Sequence, residues 1–128
     1  MKKLAFTLLM VLSLYGPVTL ATAQHAINEL GPHGGQIGEA DPFHVEMVTN
    51  ESQLIIYLYN HDMKPLPLDK FQVSAIIQSG KERVKIDLLS AGESQMKGVS
   101  DLLAKPGAKI VLILKPKGKP QFQVRFGV

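Results

Sequence analysis

From Phe43 onward, apolar residues recur at every second position. Phe43, Val45 and Met47 alternate with His44, Glu46 and Val48, and the next run, "SQLIIYLYN", is rich in β-branched and aromatic residues before it meets a turn at Asn60, His61 and Asp62. A period of two lines one face of a strand, so both segments are predicted as strands. "FQVSAIIQ" places Phe71, Val73, Ala75 and Ile77 on one face, Ser79 and Gly80 turn the chain, and "RVKIDLL" sets Val84, Ile86 and Leu88 against charged neighbours. That pair reads as a hairpin. After a loop at "SAGES" and a short strand or bend near "QMKG", Lys109 to Lys115 pairs with Gln121 to Gly127 across "PKGK". Helical signal is confined to "SDLLAKPG", where Ser100 caps a single turn and Pro106 and Gly107 end it. About seven short strands with turn signals every eight to twelve residues predict an all-β fold, an antiparallel β-sandwich, with a small β-barrel as the alternative. Pro42, Pro65, Pro67 and Pro120 fall at strand starts or between strands, where a missing N–H does least harm.

The first 23 residues follow another pattern. Lys2 and Lys3 precede an apolar run from Leu4 to Tyr15, Gly16 and Pro17 interrupt it, and Ala21-Thr22-Ala23 offers a small-residue cleavage site. This is the layout of a secretory signal peptide, which predicts removal of residues 1–23 and a single β-sandwich domain at 24–128, exported to the periplasm or beyond. The apolar run is shorter than the ~20 residues of a spanning helix, and no later segment approaches that length, so no membrane span is expected. Cysteine is absent, which removes disulfides, thiolate ligands and thiol nucleophiles together.

Charge changes the picture through its distribution. Lys2 and Lys3 leave with the leader, so 12 of the 14 basic residues face 11 acids and the mature chain is nearly neutral. Yet Gln24 to Asp62 holds six of the acids, all 4 histidines and no base, whereas Met63 to Val128 holds every remaining lysine and arginine. The first part favours cations. The basic part spreads its charge over alternating strands and one turn without interleaved aromatic residues, which predicts a solvated face and no nucleic-acid partner.

An enzyme is not expected. The chain has no G-x-S-x-G elbow, phosphate-binding loop, H-E-x-x-H or dinucleotide fingerprint, and its serines lie in polar turns without an evident histidine partner. Metal binding is the sharper expectation. Imidazole, thioether and carboxylate are the ligands left to a cysteine-free exported chain; imidazole with thioether suits copper, especially Cu(I), and imidazole with carboxylate suits zinc or nickel. The candidate ligands are His33 in "GPHGG", His44 and Glu46 on one strand face, and His61, Asp62 and Met63 at a turn. Each has a plainer reading. His33 satisfies a loop formed by Pro32, Gly34 and Gly35; His44 and Glu46 face solvent; His61 to Met63 form a solvated turn; and Met47 belongs to the apolar set, with Met96, near the short strand or bend at "QMKG", a further available thioether. His25 lies in the start of the mature chain.

Pro32-His33-Gly34-Gly35, the strand Phe43-His44-Val45-Glu46, the run from Tyr57 to Asp62 followed by Lys64-Pro65, Ala91-Gly92 with Met96-Lys97-Gly98, and Arg125-Phe126 carry a resemblance over nearly all of the mature chain. They resemble small exported β-sandwich proteins related to the N-terminal modules of periplasmic adaptors in heavy-metal efflux systems of the cobalt-zinc-cadmium and copper type. The resemblance implies periplasmic metal handling, with copper or zinc as the ion, an efflux adaptor as partner and His33 as the family-like position. Such relatives often carry glycine in the turn after Asp62, where this chain has Met63. The alternative is a metal-free envelope interaction module that docks an adaptor or another periplasmic protein through a sheet edge or the acidic part.

Overall fold

The structure, a computed structural model, describes residues 29–92 and 94–127. The leader expected at 1–23 and His25 lie outside them. Among the described residues ten strands follow in chain order: β1 (Gln36–Ala40), β2 (Phe43–Asn50), β3 (Gln53–Tyr59), β4 (Pro65–Leu66), β5 (Phe71–Ser79), β6 (Glu82–Asp87), β7 (Leu89–Ser90), β8 (Met96–Val99), β9 (Lys109–Pro116) and β10 (Phe122–Gly127). They form two antiparallel sheets. The first has the order β1-β2-β3-β8-β7 with β4 also on β3, and the second the order β10-β9-β5-β6. The sheets do not close on each other, so the fold is the sandwich and not the barrel. No helix among the described residues is long and apolar enough to cross a membrane.

Both predicted hairpins are present in register: Ile77 faces Val84 across β5 and β6, and Leu112 faces Val124 across β9 and β10. The alternate apolar positions meet between the sheets. Val45, Met47, Leu54, Ile56 and Leu58 come from the first sheet and Ala75, Ile77, Ile110, Leu112 and Leu114 from the second, all at 2 % exposure or less. Burial of each of these side chains other than Ala75 contributes about 1.5–3 kcal/mol, so this layer holds the domain together. The single helical turn is a 3-10 turn at Asp101–Ala104, where the Ser100 hydroxyl accepts from the Leu102 N–H at 3.3 Å, and the turn buries Leu102 and Leu103 at the edge of the core.

Strand β1 is the main element that alternation does not predict, and it exists through tertiary contacts. It pairs with β2 from Gln36 opposite Met47 to Ala40 opposite Phe43. At its centre Gly38 lies against β10, where a Cβ would collide with Val124 and Phe126. Glycine therefore lets the two sheets meet at this corner, and the Gln36 side-chain amide ties it by donating to the Gly127 carbonyl at 2.6 Å.

Candidate functional site

Alternation sends every second side chain of the first sheet away from the core, and strand register decides which of them meet. Glu46 lies opposite Tyr57, and His44 lies opposite Tyr59. From the other side, Ile37 of β1 faces Glu46 and Glu39 faces His44. Residues directly opposite share a face, so one outer surface carries two histidine-centred groups.

The first group is buried. Residues 31–35 fold back over the sheet in a tight turn, with the Gly31 N–H donating to the Gly35 carbonyl at 2.8 Å and the Gly34 N–H to the Gly31 carbonyl at 2.9 Å. Gly34 has φ 77°, the left-handed region that glycine enters without a Cβ penalty. Beneath this turn Glu46 is 0 % exposed. An unpaired buried carboxylate would be costly, but Glu46 Oε1 accepts from the Tyr59 hydroxyl at 2.6 Å and His33 Nδ1 at 2.8 Å, while Oε2 accepts from the His33 and Gly35 backbone N–H groups at 2.9 Å each. Burial pushes the Glu46 pKa up, yet the donors from Tyr59, His33 and the Gly35 and His33 backbone together outweigh it, and the carboxyl titrates below its ordinary range. Tyr59 moves the opposite way. Burial first, then donation to Glu46 and the nearby negative charge, hold its hydroxyl protonated well above the usual phenol range.

The same network orients His33. Its ring stacks on Tyr57 with centroids 3.7 Å apart and planes 3° from parallel, and its Nδ1 points at Glu46 and at the Tyr59 oxygen, 3.1 Å away. An ionised carboxylate only accepts, so Nδ1 carries the proton of the neutral ring and Nε2 keeps the lone pair. Glycine is required on both sides of this histidine. A Cβ on Gly31 would overlap the Glu46 carboxyl group, and one on Gly35 would sit 2.5 Å from the Met47 carbonyl oxygen.

The second group lies along the same face toward the end of β3. His44 Nδ1 is 3.2 Å from the Asn60 carbonyl and its Nε2 is 3.4 Å from Glu39 Oε1, so the ring is held from one side and directed to a carboxylate on the other. The His61 ring lies beside it, with centroids 6.1 Å apart. The turn that delivers His61 is well braced: the Asn60 side-chain oxygen accepts from the Asp62 and Lys64 N–H groups at 2.9 Å each, and the Met63 N–H donates to the Asn60 carbonyl at 3.0 Å. Met63 adopts φ 61° there, a conformation that glycine takes more cheaply.

The expected ligands therefore separate. His44 and His61 come together, with Asp62 and Met63 exposed on the adjoining turn; His33 joins Glu46, whose oxygens are both engaged by protein donors. Met47 and Met96 turn into the core at 2 % and 6 % exposure, so Met63 is the thioether that reaches solvent among these three. No group of three or more histidine and acidic side chains close enough to hold a metal ion occurs among the described residues. Tyr57, Tyr59 and Glu39 were not among the sequence candidates. The alternation in "YLY" already puts both tyrosines on one side of Leu58, but only the register with β2 puts them beside His44 and Glu46.

Comparisons with protein-family models, with curated proteins and with solved structures gave no match to this chain. The functional reading rests on the geometry above and on the sequence.

Proposed function

We propose that this chain is a periplasmic accessory protein that takes up a transition-metal cation, copper or zinc, through the imidazoles of His44 and His61 and delivers it to a heavy-metal efflux system. The observation that carries the reading is the pair itself: two histidine rings 6.1 Å apart, one of them braced through Nδ1 by a backbone carbonyl while its Nε2 faces the exposed carboxylate of Glu39. Metal-ligating imidazoles typically have one nitrogen held by a carbonyl or carboxylate, which fixes the tautomer and aims the other nitrogen at the ion. The two imidazoles are not joined by a third acidic or histidine ligand in the described geometry, so the exposed side chains would have to move on binding: Glu39 toward the ion would suit zinc, and the Met63 thioether, on the turn that carries His61, would suit Cu(I). His33 has the same braced form, with Glu46 in place of the carbonyl, and its part is to pin the glycine turn over the sheet. The efflux partner is inferred from the sequence resemblance and the expected leader.

Competition titration of the mature chain with Cu(I) and Zn(II) tests the assignment. His44→Ala and His61→Ala are each expected to weaken binding at least about tenfold, in the range found when groups supporting a metal site are removed. Met63→Leu should weaken Cu(I) alone. Unchanged affinity for both ions in His44→Ala and His61→Ala, with the fold intact by circular dichroism, would overturn the proposal.

A further inference from the structure

The outer face of the second sheet carries the opposite charge. Register places Arg83 opposite Gln78, Lys85 opposite Ile76, Lys109 also opposite Gln78, Lys115 opposite Gln72 and Arg125 opposite Val111. These five cations all point away from the core, and the matching outward strand positions include one acid, Asp87. None of the five has a carboxylate within ion-pairing distance among the described residues; Lys105, outside this face, is the lysine that pairs, with Glu82 at 2.6 Å. An apolar strip of Ile76 on β5 and Val111 and Ile113 on β9, each half-buried, has Arg83 and Lys85 on one edge, Arg125 on the other, and Lys109 and Lys115 at its ends. Two shallow clefts continue the strip from end to end. One of about 470 Å³ is bounded by Lys85, Asp87, Ile113 and Lys115, so it carries two cations to one acid, and one of about 550 Å³ by Arg83, Lys109, Val111 and Arg125.

We propose that this face docks an extended acidic segment of a partner protein, its carboxylates on the flanking lysines and arginines and its apolar side chains in the central strip. Charge complementarity selects the occupant: cations on both edges and at both ends of an apolar strip, without a carboxylate partner among the described residues, match a segment that carries acidic and apolar residues together. Strand β5, which forms the floor, has nine residues and at ~3.3 Å per residue offers about 30 Å of length, enough for a segment of similar size. An anionic membrane is a poorer fit, because the apolar residues of this face are half-buried and none of the exposed large apolar side chains lies on it. Single-stranded nucleic acid is poorer again, because the outward positions of β5, β6, β9 and β10 hold no aromatic ring for bases to stack on. This surface is independent of the histidine pair on the other sheet, so either proposal stands or fails alone.

Fluorescence anisotropy with a labelled ten-residue peptide in which glutamates and valines come in successive pairs, so that each face of the extended chain carries both, tests it, in the presence of a chelator so that no metal contributes. The mature chain should bind this peptide and release it as salt rises, since exposed charges are screened beyond ~10 Å at about 0.1 M ionic strength. The glutamine-valine analogue should bind at least about tenfold more weakly, and the combined variant Arg83→Gln, Lys85→Gln, Lys115→Gln, Arg125→Gln should lose at least about tenfold, the sum of several modest surface charge contributions. Lys64→Gln with Lys97→Gln, away from this face, should bind like the parent. Equal binding of the two peptides to the unaltered chain would overturn the proposal without any variant. So would unchanged binding by the fourfold variant, or binding to vesicles one-third phosphatidylglycerol in the absence of peptide binding.

Discussion

The two sheets of this sandwich are built by the same alternation and have the same kind of inner face, yet their outer faces differ in almost every respect. The second sheet turns isolated lysines and arginines to solvent over a partly exposed apolar strip. The first turns out histidines, tyrosines and acids, and the loop at residues 31–35 covers part of them so completely that Glu46 has no exposure. The difference shows what alternation does and does not decide. It fixes which side of a sheet a residue takes; whether that side is wet depends on what chain elsewhere folds over it. A covered polar face must then satisfy its own hydrogen bonds, and Glu46 does so with four protein donors. An open polar face has no such obligation, and its charges remain free for partners.

That contrast can be broken most directly at Glu46. Glu46→Ala leaves the Tyr59 hydroxyl, the His33 ring and two backbone N–H groups without their acceptor, and is expected to lower stability by about 3–5 kcal/mol in urea unfolding. A loss under about 1 kcal/mol would mean that the carboxylate is dispensable to the covered face. Gly35→Ala should cost about 1–3 kcal/mol, because the new methyl group meets the Met47 carbonyl oxygen at 2.5 Å and the backbone must shift. On the second sheet, the fourfold Arg83, Lys85, Lys115 and Arg125 substitution to glutamine should change stability by no more than about 0.5 kcal/mol per site, since each side chain is exposed and unpaired. The larger effect should come from one residue on the covered face and the smaller from four on the open one.

Acidity sharpens the same comparison. The folded pKa of Glu46 lies below its unfolded value of about 4.3, so ionised Glu46 stabilises the fold above that pH and the contribution is lost as pH falls through the lower, folded value. Unfolding midpoints should therefore drop below about pH 4.3, and Glu46→Gln should show a shallower dependence in that window. Tyr59 acts at the other end. Its folded pKa is raised, so its contribution is complete below about pH 10 and fades as pH climbs past it.

Most of the fold was legible because it is local. The β5–β6 and β9–β10 hairpins follow from period two and turn residues, and the Ser100-capped turn follows from a cap and a Pro-Gly stop. Strand β1 was not, because "QIGEA" has little alternation of its own and forms through pairing with β2 and the close approach at Gly38. The candidate residues were legible by composition and their grouping was not. The base-free stretch named His33, His44 and His61, and Pro32, Gly34 and Gly35 marked a turn, but alternation alone put Glu46 in solvent, and nothing local foretold that this turn folds back over it. His33, the position the resemblance favours, turns to Glu46, while His44 meets His61 because the register of β2 with β3 brings the start of one strand beside the turn at the end of the other.

The proposal that a cation is held by His44 and His61 requires His33 to stay with Glu46 throughout. Imidazole nitrogen NMR of the ¹⁵N-labelled chain, followed during stoichiometric addition of Zn(II), tests it most directly. His44 Nε2 and one nitrogen of His61 should shift together on addition, while His33 keeps its Nδ1 proton and its resonances. Movement of His33 alone, or no movement of His44 and His61, would contradict it.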